Sequence, residues 1–141
     1  MTLVYNERHA RVVYLPESST LYCTWLKGTT PEQYRDVFNH ILKGFQDYGA
    51  KTYLSDIQKQ GIVGTESRKW LESTIIPEAL KAGMRNIFVI TSEDAFKKFY
   101  LDRVKNEVEK QSTIINTQYF PSEESALKAC KAEVEKMSSV A

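Results

Sequence analysis

Apolar and polar positions change period several times along this chain, and each change marks an element. ARVVYL, from Ala10, and TLYCTWL, from Thr20, are short β-branched and aromatic runs separated by the turn-prone PESS. In the second run Leu21, Cys23 and Trp25 fall on one face and Tyr22, Thr24 and Leu26 on the other. Both faces are fairly apolar, so this strand is expected to be covered on both sides. A helical period follows. In TTPEQYRDVFNHILKGFQDYG the apolar residues Tyr34, Val37, Phe38, Ile41, Leu42 and Phe45 form one stripe. Thr30 can cap this helix, Pro31 suits its first position, Gln33 can complete a capping box and Gly49 can end it.

The alternation repeats. KTYLS reads as a strand, and the helix after Thr65 carries Trp70, Leu71, Ile75, Ile76 and Leu80. Pro77 falls inside that stretch, which predicts a kink or two short helices, and Gly83 ends the unit. NIFVIT is an unbroken β-branched and aromatic run, expected as a central strand buried on both faces. Thr91 or Ser92 caps a further helix whose inward residues are Ala95, Phe96, Phe99, Tyr100, Val104 and Val108. TIINTQYF is the last strand, with Asn116 and Gln118 placing it near an edge. Ser122 then opens a final helix with Ala126, Leu127, Cys130 and Val134. Helical connections between strands imply parallel pairing. The expected fold is a single α/β domain over residues 1–141, with one mixed, mainly parallel β-sheet. An antiparallel N-terminal strand and about four helices complete it.

Composition removes several functions. The chain has 141 residues, enough for one real core, with 19 basic and 18 acidic side chains and a net charge of +1. That balance gives no field to gather nucleic acid or an anionic membrane. MTLVYNERHA lacks the continuous apolar core of a secretory signal, and no apolar run approaches a transmembrane segment. Cys23 and Cys130 read as small buried apolar residues, and the expected setting is cytoplasmic.

In a parallel sheet, ligands and partners meet the carboxyl ends of the strands. Here that rim carries Ser55 and Asp56, Thr91 and Ser92, and the helix start at Thr65 and Ser67. Sharper chemistry does not assemble there. GIVGTES lacks the lysine of a phosphate-binding loop, and Lys59 stands where its first glycine belongs. Asp56 is placed like a receiver-domain phosphoryl acceptor, with Thr91 at the end of the next strand. The acidic pair and the lysine which that mechanism needs are missing. No G-x-S-x-G elbow occurs, and the two histidines, His9 and His40, read as surface or boundary residues. Two isolated histidines and two isolated cysteines form no metal-ligand spacing, so no cofactor or metal is expected.

The order of elements, with WLKGTTPEQY entering the first helix, YLSD ending a strand and WLESTIIPEALKAGMRNIFVI beyond it, resembles the STAS, or SpoIIAA-like, family. Anti-sigma factor antagonists have this fold, and small bacterial members of unknown function share it. The resemblance implies a regulatory module that binds a partner protein, switched in the antagonists by a phosphorylated serine at a helix start. Thr65 and Ser67 occupy the matching helix start, although the loop after Ser55 and Asp56 is longer here. A plain N-cap is the simpler and preferred role for Thr65.

The leading expectation is therefore a non-enzymatic module that binds a protein partner at the strand-end rim. The alternative is a carrier for a small apolar molecule or lipid, suggested by eight tyrosines and six phenylalanines. TIINTQYF as an edge strand would also allow a homodimer.

Overall fold

The computed structural model describes residues 1–95 and 115–140, the side chains of 137–140 excepted. Among these residues one six-stranded sheet runs in chain order: β1 (Thr2–Asn6), β2 (Ala10–Leu15), β3 (Thr20–Trp25), β4 (Thr52–Asp56), β5 (Asn86–Ile90) and β6 (Asn116–Phe120). The pairs β1/β2 and β2/β3 are antiparallel; every later pair is parallel. The expected α/β fold is thus the one observed, and β6 is an edge strand as its polar residues imply.

Three features depart from expectation. Thr2–Asn6 is a strand, although ARVVYL reads as the first one. TLVYN buries only Tyr5 fully, its register slips between Leu3 and Tyr5, and it gains order by pairing with β2. His9 is buried instead of lying at the surface or boundary. Its Nε2 is 2.7 Å from Tyr5 Oη, which donates to Asp36 Oδ2 at 3.0 Å. The phenol has a single proton, so His9 must donate through Nε2–H. Finally, β5 is fully buried only through Asn86, Phe88 and Ile90, while Ile87 and Val89 are half-buried.

Helix α1 (Pro31–Tyr48) follows its sequence signals closely. Thr30 Oγ1 accepts from Gln33 N–H at 3.2 Å, and Gln33 Oε1 accepts from Thr30 N–H at 3.0 Å. Gly49 ends the helix with φ 64°, a left-handed cap that glycine adopts without strain. Pro77 breaks the next helical stretch. It divides into α2 (Thr65–Trp70), a π turn (Leu71–Ile75) and α3 (Ile76–Lys81). Ile76 N–H bonds Leu71 O across the wider turn just before the proline, which has no N–H of its own. Ser92 Oγ accepts from Ala95 N–H, as a cap does, whereas Thr91 is buried and its N–H bonds Phe120 O. Phe96, Phe99, Tyr100, Val104 and Val108, expected to face inward, lie outside the described residues. Ser122 caps α4 (Glu123–Val140) through Ser125 N–H.

The parallel crossovers step in one direction, so a single handedness places α1 and the α2–α3 stretch on the same face of the sheet. There Val12, Leu21, Cys23 and Trp25 pack under Val37, Phe38, Ile41 and Phe45, with Ile75 and Ala79 beside them. On the opposite face α4 lays Ala126 and Cys130 on Val13, Tyr22, Leu54, Phe88 and Ile90. Cys23 and Cys130 are free thiols on opposite faces. No helix among the described residues is long and apolar enough to cross a membrane.

Candidate functional site

The strand ends gather the expected rim residues without making them equivalent. Ser55 is buried beneath the rim, where its Oγ accepts the Trp25 indole N–H at 3.0 Å. Asp56 Oδ1 accepts from Gln58 N–H at 3.1 Å, a local bond that turns the chain out of β4. Thr65 is exposed but is the first residue of α2 and not its cap. Gly64 takes the cap position, with no side-chain bond to the helix. Ser67 is buried. Of the three hydroxyls Ser55, Thr65 and Ser67, only that of Thr65 belongs to an exposed residue.

A cleft of about 620 Å³ opens beside this rim, between the sheet, α1 and α2. Its sheet side is Tyr53 and Ser55 of β4, Ile87 and Val89 of β5, and Tyr119 of β6. Tyr34 and Phe38 of α1 form a second wall. The loop at Ile57 and Gln60–Val63, with Arg68, Leu71 and Glu72, forms the third. A smaller, wholly apolar space of about 140 Å³ lies next to it and shares Phe38, Tyr53, Leu71 and Ile87. These are dimensions of a small-molecule site, and the position at the carboxyl ends of parallel strands is where such sites occur.

The aromatic wall is a connected set. Trp25 and Tyr34 stack with ring centroids 5.7 Å apart, Tyr34 and Phe38 meet at 4.8 Å, and Phe38 meets Tyr53 edge-on at 5.8 Å. Outside them, Arg35 lies over the Trp70 ring, 5.4 Å from its centroid. Burial pushes the Tyr34 phenol up to about 12, with nearby Glu72 adding to the rise and Arg68 opposing it.

Tyr53 is the anomaly. Its hydroxyl is fully buried and makes no hydrogen bond. Burial is the largest of the effects that drive its pKa well above the ordinary tyrosine value. Ser55 and Trp25 lie near enough to oppose that rise without being placed to bond the phenol. A buried polar group left without a partner costs roughly 1–3 kcal/mol, so such groups are uncommon in native folds.

No family model, characterised protein or solved structure matches the chain. Its reading rests on its own geometry.

The sequence pointed to the strand-end rim but not to the cleft beside it. Tyr53, Tyr34 and Arg68 line that cleft and are not among the site residues the sequence singles out. Tyr53 lies in TYLSD at a position that pattern assigns to packing, and an alternating strand gives no sign of which buried hydroxyl will lack a partner. The excess of tyrosine was the only available signal.

Proposed function

We propose that this chain is a non-catalytic binding domain whose strand-end cleft takes up a small, largely apolar molecule. The observation that carries the reading is the cleft itself, walled by aromatic and aliphatic side chains, Tyr34, Phe38, Tyr53 and Leu71 among them. Its polar rim residues are committed to the fold: Ser55 holds Trp25, and Asp56 holds the turn at Gln58. The cleft moves a small ligand ahead of the protein partner that the sequence ranks first.

A protein partner at the same rim is the second reading, in keeping with the resemblance to the SpoIIAA-like family. Ile62, 97% exposed between Gly61 and Gly64, supports it as an apolar tip beside the mouth. In that reading Thr65 is the candidate for phosphorylation, since a phosphate at the start of α2 would alter the charge of this surface.

Native mass spectrometry of the protein isolated gently from its own host tests both readings. A non-covalent mass adduct, lost on denaturation and absent from a Leu71→Trp variant that fills the cleft, is expected. A bare chain, with a phosphatase-sensitive mass step at Thr65, would overturn the ligand reading in favour of the partner module.

A further inference from the structure

On the α4 face a second space, of about 320 Å³, is bordered by Arg11, Val13, Leu15, Tyr22, Glu123 and Leu127. Its charged and apolar residues are sorted to opposite ends. Helix α4 starts directly after Pro121 and Ser122, at the carboxyl ends of the parallel strands, and runs back to the turn at Pro16–Ser18. Strand β2 runs the same way, because it is antiparallel to β3, and Arg11 lies opposite Thr24 near the end of β3. Residues two apart on a strand, or four apart on a helix, share a face. Val13 and Leu15 therefore continue from Arg11, and Leu127 continues from Glu123, in one direction across the sheet. The space has a cation and a carboxylate at its strand-end side and apolar walls beyond them.

Arg11 and Glu123 are both exposed, and among the described residues neither takes part in an ion pair. Glu123 is nonetheless held in place. Tyr22 Oη–H donates to its Oε2 at 2.7 Å, and a carboxylate accepts at its other oxygen as well. Arg11 stands on a strand paired on both sides, to β1 and to β3, which fixes the base of its side chain. Its guanidinium offers a fork of donors that suits a carboxylate. A ligand with one charge would meet Arg11 or Glu123 as a like charge, and a wholly apolar ligand would strip water from both without replacing it. A molecule with both charges on one carbon, and an apolar side chain behind them, answers the two groups in the order in which the space presents them. We propose that this space binds an apolar α-amino acid, its carboxylate on Arg11, its ammonium on Glu123 and its side chain against Val13, Leu15 and Leu127. The site lies on the opposite face from the strand-end cleft and does not depend on it.

Three probes with one aryl body separate the charges: L-phenylalanine, 3-phenylpropanoate, which lacks the ammonium, and 2-phenylethylamine, which lacks the carboxylate. Each is titrated at neutral pH into the full chain, with binding followed by the methyl NMR signals of Val13, Leu15 and Leu127. Phenylalanine is expected to bind about fivefold more tightly than either analogue, the value of one exposed ion pair. In Arg11→Gln it should lose its advantage over phenylethylamine, and in Glu123→Gln its advantage over phenylpropanoate. Both substitutions are at exposed positions, and glutamine at 123 still accepts from Tyr22, so both variants are expected to stay folded. The crossed pattern is one that a general loss of structure would not produce. Phenylalanine binding no more tightly than the analogues, or not at all, would overturn the proposal. So would methyl shifts confined to other parts of the molecule. Sedimentation showing a dimer that Arg11→Gln or Glu123→Gln dissolves would overturn it too, by giving the same charges to a second copy of the chain.

Discussion

Tyr22 and Tyr53 stand on neighbouring strands and point to opposite faces of one sheet, and their hydroxyls meet different fates. On the α4 face Tyr22 donates to Glu123 Oε2 at 2.7 Å, among close-packed Leu54, Phe88, Ala126 and Cys130. On the α1 face Tyr53 is buried without a partner, beside two spaces left between the described side chains. Burial pushes both phenols up. The difference lies in what burial is combined with. Small residues on α4 let that helix settle directly on the sheet. Bulky rings on α1 and a helix interrupted at Pro77 hold the other layer off at the strand ends. Both faces leave space at their edges, Tyr22 and Glu123 bordering one of about 320 Å³; what separates the two phenols is that the Tyr22 hydroxyl is bonded and the buried Tyr53 hydroxyl is not.

The largest test of this contrast is side-chain truncation on each face. Phe88, wholly buried and edge-on to Phe120 at 5.3 Å, should lose about 3–5 kcal/mol on change to Ala. Half-buried Leu71, which already borders empty space, should lose about 1–2 kcal/mol on the same change, because fewer contacts are there to be broken. Urea unfolding measures both; equal losses would show the cleft to be as tightly packed as the core around Phe88.

Next comes the bond beneath the rim. Ser55→Ala strands the Trp25 indole N–H inside the core and should cost about 1–3 kcal/mol by the same measurement. An unchanged unfolding midpoint would mean that the indole finds another acceptor.

The tyrosines themselves give a sharper contrast. Tyr22→Phe removes a bond to a carboxylate and should lower stability by about 1–2 kcal/mol. Tyr53→Phe deletes an unpaired polar group and should leave the ligand-free protein unchanged or up to about 1 kcal/mol more stable. Thermal unfolding of the two variants should therefore move in different directions. Loss of stability in both would place a bonded partner on Tyr53.

The smallest effect appears at alkaline pH. Tyr34 is raised to about 12, and Tyr22 and Tyr53 also rise, so the folded state holds phenol protons that an unfolded chain releases near pH 10. The stabilisation is complete below about pH 10 and is lost as pH climbs through the folded-state values. Cys130, moved from 9.0 to about 11 by burial, acts in the same direction from a lower pH. Urea midpoints at rising pH should fall, and Tyr34→Phe should shallow the decline.

Much of the fold was legible because its signals are local. The TTPEQ capping box, Gly49 and Pro77 specify backbone events within a few residues, and each occurs where the pattern places it. Thr2–Asn6 escaped because a short edge strand depends on its neighbour β2 more than on its own pattern. His9 escaped because its burial is decided by Tyr5 and by Asp36 on a distant helix. The candidate site divides in the same way. Ser55, Asp56, Thr91 and Ser92 could be placed at a strand-end rim from topology. Whether a hydroxyl on that rim is bonded, buried or idle depends on side chains brought in from α1 and β3, far away in sequence.

The chain-order arrangement of the sheet also bears on how the protein is made. Each new strand meets the one synthesised before it, so the sheet can lengthen at its growing edge as residues leave the ribosome. The α1 face can be covered early, since α1 emerges before β4. The other face waits for α4: until it arrives, Leu54, Phe88 and Ile90 lack the apolar contacts that Ala126 and Cys130 supply. A nascent chain stalled before Glu123 would carry the finished cleft on one side and a sticky surface on the other, the state in which it most needs a chaperone.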